Sequence, residues 1–163
     1  MSTSAILVVG ADGSTTKNYS SRGVSSPADR KAFLSRRREF DVILIGGNTA
    51  RNEGYGRTPC PLVIISHSDI SPVPENKLAH LWNLNPAAAL MRAREEFGDR
   101  VLIEAGVAII NELLADNLID EFFLSVTPVQ GGENLIDWRG ILAGFLHVEK
   151  SEIDGTLFFH AHN

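Results

Sequence analysis

The chain of 163 residues contains one cysteine, Cys60. An internal disulfide and a zinc site built from cysteines are therefore excluded, and a reducing cytoplasm is the simplest compartment. Positive charge is also scarce: 15 Lys and Arg face 20 Asp and Glu, for a net charge of -5. A nucleic-acid binder or an acidic-membrane binder needs the opposite balance, so neither partner is expected. No apolar run approaches the roughly 18–20 residues of a membrane span. Met1-Ser2-Thr3-Ser4 puts no positive charge ahead of the apolar residues 5–9, so no signal peptide is expected. Repeats, low-complexity tracts and linkers are absent, and the Ser- and Pro-rich residues 66–74 read as a long loop.

What is present suits one folded domain. Apolar residues make up 44% and charged residues 21%, enough to bury a core at this length. Short β-rich runs at 5–9, 42–45, 62–65 and 101–103 are apolar on both faces, as strands covered by helices on either side must be. Between them, Ser26-Pro27 and Asn85-Pro86 each pair an N-cap with a proline at the first helical position. Gly98 closes the second of these helices, and a third follows Gly106, with Asn117 near its end. The last third changes character. A strand over 122–127 precedes two runs, 145–153 and 156–162, flanking Asp154-Gly155, the strongest short signal for a tight hairpin. The pattern predicts a single α/β domain whose mixed, mostly parallel sheet ends in a C-terminal antiparallel hairpin.

In open α/β sheets, ligands bind beyond the carboxyl ends of the parallel strands. The junctions there are Gly10-Ala11-Asp12-Gly13, Gly46-Gly47-Asn48-Thr49, Ser66-His67-Ser68 and Glu104-Ala105-Gly106. Glycines let a ligand approach the backbone, and a helix N-terminus attracts phosphate. No dinucleotide-binding G-x-G-x-x-G and no P-loop occurs, and Gly46-Gly47 taken alone reads more readily as a tight turn than as a ligand site. Glu104, at the top of a central strand, suits the N–H and NH₂ edge of a pyrimidine or pterin; it reads equally as a cap or ion-pair partner at the helix start. Arg36-Arg37-Arg38 point to different helix faces, so at most one or two converge on one anion; the plain reading is a solvated helix end. His160 and His162 share a strand face without a third ligand, so no metal is expected. Cys60 reads as a packing residue.

The junctions resemble the reductase domain of the bacterial riboflavin-biosynthesis deaminase/reductase, within the dihydrofolate-reductase-like superfamily, and especially its stand-alone pyrimidine reductases. Three blocks carry the likeness. Gly10-Ala11-Asp12-Gly13 is similar to the family's S-x-D-G. Ser25-Ser26-Pro27-Ala28-Asp29-Arg30 leads into the block from Asp41 through Gly46-Gly47-Asn48-Thr49-Ala50-Arg51-Asn52-Glu53-Gly54-Tyr55-Gly56. Leu102-Ile103-Glu104-Ala105-Gly106 continues through Leu118-Ile119-Asp120-Glu121 to Thr127-Pro128 and Gly131-Gly132. Gly10 stands where the family has serine, and Val107 where many members have proline.

The resemblance implies a three-layer dihydrofolate-reductase-like fold and NADPH-dependent reduction. The substrate would be a small pyrimidine, a phosphoribosylamino-pyrimidinone reduced at its ring-opened sugar, in a homodimer. It implies that Thr49, Glu53, Ser66, Gly106, Val107, Ala108 and Ile109 face NADPH. Ser21, Arg37 and Glu104 would face the substrate, Arg37 near its phosphate and Glu104, also the catalytic candidate, near its pyrimidine. The chain would be one reductase domain spanning 1–163; the zinc signature of a deaminase half is absent. Two other expectations stand beside it: a dihydrofolate or pterin reductase, and a non-catalytic nucleotide-binding homodimer that keeps the fold without turnover.

Overall fold

A computed structural model describes residues 2–104 and 106–163; Met1 and Ala105, the middle residue of the Glu104-Ala105-Gly106 junction, lie outside the described residues. The chain divides into two compact units, residues 1–5 with 36–120 and residues 6–35 with 121–163. Strand β1 (Ser2–Gly10) contributes to both.

In the first unit, β3 (Val42–Gly46), β4 (Leu62–Ile65), β5 (Ala79–Trp82) and β6 (Arg100–Ile103) join the start of β1 in the order β5-β4-β3-β6-β1, every pair parallel. Val42, Ile43, Leu44 and Ile45 are fully buried, as are Val101, Leu102 and Ile103. Branched side chains on both faces of a strand require cover on both faces. Helix α3 (Pro86–Phe97) packs against β3, β4 and β6 and against helix α4 (Val107–Ala115). The start of α3 is fixed by the Asn85 side chain, which accepts the Ala88 N–H at 2.8 Å. The end of the unit is tied back to its beginning: Thr3 N–H donates to the Asp120 carboxylate, and Asp120 N–H to Thr3 O, each at 2.8 Å.

In the second unit the order is β1-β7-β10-β9, with β7 (Glu121–Thr127), β9 (His147–Ile153) and β10 (Thr156–His162) antiparallel to their neighbours in that trio. Asp154 and Gly155 have φ of 50° and 83°, the two positive angles that a tight two-residue hairpin needs. Helix α1 (Pro27–Arg37) begins as the sequence predicts, Ser26 Oγ accepting the Asp29 N–H at 3.1 Å. The same hydroxyl meets Thr156 Oγ1 of β10 at 2.6 Å. The apolar Phe122-Phe123-Leu124 run finds cover within the unit: Phe145 stacks on Phe122 and His160 on Phe123.

Six elements differ from the sequence reading. Gly46-Gly47 opens a helix, α2 (Gly47–Asn52), rather than a bare turn, and β5 follows the loop after β4. Strands β2 (Ser14–Thr16) and β8 (Glu133–Leu135) pair in a small separate sheet, and helix α5 (Trp138–Ala143) precedes β9. The run expected to be strand from 145 starts at His147, because Phe145 N–H still closes the turn after α5 on Leu142 O.

Gly10, the departure from the family serine, has a local reason. A Cβ there would lie 2.5 Å from Val129 O, the same carbonyl that accepts the Ala11 N–H at 2.8 Å. Gly10→Ser should therefore destabilise the protein by about 1–3 kcal/mol, the usual cost of forcing atoms into a filled space; urea unfolding measures it. Two residues on, Asp12 accepts from the Ser14 hydroxyl, from Gly131 N–H at 2.8 Å and from Ser14 N–H at 3.1 Å. These bonds, the Ser14 hydroxyl foremost, lower its carboxyl to about 2. A depressed carboxyl stabilises the folded state above its ordinary value, and that contribution disappears as pH falls toward about 2. A carbon-13 titration of Asp12 should show no protonation at pH values where ordinary aspartates have titrated.

Candidate active site

The carboxyl ends of β3, β4 and β6 lie together in the first unit. Glu104 leaves β6 with its N–H bonded to Leu44 O at 3.1 Å, so the strand exit is held by the neighbouring strand. Its carboxylate accepts from Arg37 and from Tyr55. Arg37 Nε donates to Oε2 at 2.9 Å and Nη2 to Oε1 at 3.0 Å, a bidentate pair; the Tyr55 hydroxyl donates to Oε1 at 2.8 Å. The side chains of Arg37 and Glu104 are 7% and 1% exposed. The Arg37 guanidinium also lies over the Tyr55 ring, 5.2 Å from its centre. Tyr55 is fixed in turn by Asn76, whose Nδ2 donates to Tyr55 O at 2.9 Å and to Thr58 Oγ1 at 3.1 Å.

The electrostatics follow from this burial. Burial works against the Arg37 charge, but the Glu104 carboxylate outweighs it and holds the guanidinium above its ordinary value. Burial, and then the Glu104 charge, push the Tyr55 hydroxyl well above its usual range, so it remains a donor. The Cys60 thiol is pushed up to about 11 by burial and then by Glu104, which leaves it protonated and unreactive.

The substrate candidates are thus placed differently from one another. Arg37 is not part of a solvated helix end: of the three consecutive arginines it alone is buried, while Arg38 is exposed. Of the two sequence readings of Glu104, the ion-pair partner at the helix start is the geometry found. The contacts expected separately, Arg37 to a phosphate and Glu104 to a pyrimidine, are here one bond between them. Ser21 belongs to the second unit, where it opens a 3-10 turn (Ser21–Gly23).

The cofactor candidates converge more simply. Gly106 is the N-cap of helix α4 and supplies no side-chain cap to its first N–H groups, of which Ile109 N–H turns back to Gly106 O at 3.2 Å. Thr49 Oγ1 lies 3.7 Å from where a Gly106 Cβ would stand, and Ile109 Cδ1 lies 3.0 Å from that point on Gly46. A Cβ on Gly47 would be 3.2 Å from both Ser66 Oγ and Arg51 Nη1, so a hydroxyl and a guanidinium meet at the start of α2. Glu53 ends α2, its N–H on Thr49 O at 2.9 Å. Glycines without side chains, an uncapped helix N-terminus and nearby hydroxyl and guanidinium donors make a cradle that fits the phosphates of a dinucleotide.

Elsewhere, His160 Nε2 lies 2.7 Å from Glu121 Oε2, and among the described residues no group of three or more His, Cys, Asp or Glu is placed to hold a metal ion. Sequence reasoning missed Tyr55 and Asn76. Tyr55 lies within the Glu53-Gly54-Tyr55-Gly56 block, but nothing in its spacing marks its hydroxyl.

The fold defined by these elements is dihydrofolate-reductase-like. Dihydrofolate reductase from Enterococcus faecalis, solved with NADP(H) and RAB-propyl, superposes with a TM-score of 0.71 at 14% identity, covering 99% of this chain and 96% of that one. A pyrimidine reductase-like protein of Corynebacterium diphtheriae gives 0.68 at 15% identity, over 99% and 91%. The Thermotoga maritima diaminohydroxyphosphoribosylaminopyrimidine deaminase/5-amino-6-(5-phosphoribosylamino)uracil reductase gives 0.68 at 14% identity; this chain is covered to 99% but spans only 56% of that one. No curated protein matches the chain significantly by sequence. A family model, the RibD C-terminal domain, matches residues 5–155, and the chain belongs to that family. It is an oxidoreductase of the family's reductase type.

The buried pair yields a stability prediction. Arg37→Leu strands a buried carboxylate and should cost about 3–5 kcal/mol. Arg37→Leu combined with Glu104→Leu should cost less than Arg37→Leu alone, because no charge is left behind. Urea unfolding of the two variants decides it; a double variant worse than the single would mean that the two side chains act independently.

Proposed function

We propose that the chain is an NADPH-dependent reductase of a small pyrimidine, with 5-amino-6-(5-phosphoribosylamino)uracil as the substrate type. Residues 1–163 then act as one reductase domain, in a cytoplasmic homodimer that engages neither nucleic acid nor membrane. The observation that carries the reading is a buried, ionically paired carboxylate, Glu104, directly ahead of the uncapped N-terminus of α4. Family membership over residues 5–155 supports it, and no helix among the described residues is long and apolar enough to cross a membrane.

On this reading Gly106, Val107, Ala108 and Ile109 offer the α4 N-terminus to the cofactor's pyrophosphate, with Thr49 and Glu53 alongside. Ser66 takes the 2′-phosphate with help from Arg51. NADPH, when bound, would supply the hydride to the carbon of the substrate's ring-opened imine, and a proton from water or an acid would complete the ribitylamine at nitrogen. Glu104 is the acceptor for the N–H edge of the pyrimidine, and Arg37 serves the phosphate end. The protein contributes orientation and exclusion of water, and no side chain serves as a nucleophile.

Oxidation of NADPH followed at 340 nm tests the reading, with the phosphoribosylamino-pyrimidinone and dihydrofolate as competing substrates. Turnover of dihydrofolate alone would replace the pyrimidine by a pterin. Binding of NADPH with no oxidation by either would make the chain a nucleotide-binding protein. A monomeric mass in light scattering would remove the dimer. In titration calorimetry NADPH should bind roughly 10-fold or more tightly than NADH, the scale of a hydrogen bond to a charged group. Ser66→Ala should lose part of that preference and Arg51→Ala a further part; equal constants for the two cofactors in the unaltered protein would move the 2′-phosphate away from Ser66.

A further inference from the structure

Helix α2 begins at Gly47, and the missing side chain leaves a space that another residue fills. A Cβ on Gly47 would stand 3.2 Å from Arg51 Nη1, 3.2 Å from Ser66 Oγ and 3.4 Å from Ser66 Cβ. Arg51 lies four residues on, about one helical turn, so its guanidinium folds back over the residue that has no side chain. Asn48 holds it there. Residues three apart are neighbours on a helix surface, and Arg51 Nη2 donates to Asn48 Oδ1, which leaves Nη1 beside Ser66. Ser66 is fixed as firmly. Its N–H is bonded to Trp82 O of β5 at 3.0 Å and its Oγ accepts the Ser68 N–H at 3.1 Å, so the hydroxyl hydrogen remains to donate. Nη1 and Oγ lie within 3.2 Å of one point, hence no more than twice that distance apart. One phosphate accepting a bond of about 2.8 Å from each spans such a gap.

We propose that Asn48 is a positioning residue for the cofactor's 2′-phosphate, acting only through Arg51, and that residue 47 is glycine because the Arg51 guanidinium takes its side-chain space. The proposal rests on the 2′-phosphate reading above and adds what delivers Arg51 to that group. Backbone conformation does not demand glycine at 47: the residue is helical, outside the left-handed region, and alanine favours a helix over glycine. Among the described residues no carboxylate pairs with Arg51, so its positive charge is met by a neutral amide alone. An amide suits the task better than an acid. A carboxylate at 48 would hold the guanidinium harder and would cancel the charge that a phosphate needs, whereas an amide fixes the direction and leaves the charge in place.

Titration calorimetry with NADPH and with NADH tests this on the unaltered protein, Asn48→Ala, Arg51→Ala and the variant carrying both changes. Asn48→Ala should lower the preference for NADPH by roughly 2- to 10-fold, the scale of one hydrogen bond, and leave the NADH constant where it was. The double variant should match Arg51→Ala, because Asn48 then has nothing left to aim. A further loss in the double variant, or an equal loss of NADH binding in Asn48→Ala, would overturn the positioning role. Asn48→Asp keeps the acceptor and adds a charge, so its preference for NADPH should fall below that of Asn48→Ala, most of all at low salt. An Asn48→Asp protein with the unaltered preference would reduce Asn48 to a structural acceptor; this variant also decides the matter if Asn48→Ala does not fold. Gly47→Ala should lose NADPH preference as Arg51→Ala does. An unchanged preference there, or equal weakening of both cofactors, would overturn the account of the glycine. Equal constants for NADPH and NADH in the unaltered protein, or full preference in Arg51→Ala, would instead remove the 2′-phosphate reading itself, and the role of Asn48 with it.

Discussion

The bond between Arg37 and Glu104 fixes the ligand end of the first unit. It joins the last residue of α1 to the exit of β6, and Tyr55 ties the loop after α2 to the same carboxylate. Burying two charges costs most of what their attraction returns, so such a pair contributes little net stability. What it contributes is geometry. A bidentate fork accepts only a narrow range of angles, and the Tyr55 hydroxyl restricts the carboxylate further. Because Glu104 N–H is also bonded to Leu44 O of β3, backbone and side chain fix the point from which α4 departs.

Most of the framework could be read from local chemistry, and the exceptions share a cause. Leu62–Ile65 and Thr156–His162 form strands where the apolar runs placed them, and Ser26-Pro27 and Asn85-Pro86 start helices as their capping chemistry requires. Asp154-Gly155 makes the hairpin because both residues tolerate positive φ. Strand β5 was invisible because Ala79-His80-Leu81-Trp82 buries only Trp82; its place comes from pairing with β4, whose Ile65 lies opposite Trp82. Helix α2 begins at a glycine and has only six residues, too short for periodicity to reveal and too poor in intrinsic propensity to form alone. Both exist through tertiary context.

The site was legible where backbone chemistry decides and illegible where side-chain rotation does. Thr49, Ser66 and Gly106 belong to the strand-end junctions, and they gather around the starts of α2 and α4; their cofactor role came from the family resemblance. Position alone also singled out Glu104, though not between its two readings. Three arginines in a row at a helix end look alike in sequence. A helix turns about 100° per residue, and only the packing of the unit decides that Arg37 faces inward while Arg38 stays in solvent. Tyr55 lies in an irregular segment after α2, where no period announces which way a side chain points. A buried arginine therefore read as an ordinary solvated cation, and its hydroxyl-bearing neighbour went unmarked.

The pairing also resolves an electrostatic conflict at the cradle. The N-terminus of α4 carries the positive end of a helix dipole and has no side-chain cap, which suits a phosphate. A bare carboxylate two residues ahead of that terminus would work against the same phosphate, by capping the helix itself or by repelling the anion across a short, poorly screened distance. By turning Glu104 toward Arg37, the chain places a neutral pair where a negative charge would otherwise stand. The Tyr55 hydroxyl, held protonated, adds a dipole directed at the carboxylate and no charge of its own. One acidic residue can then sit at the top of the strand without closing the neighbouring helix terminus to an anion. The burial of Arg37 is the condition for both.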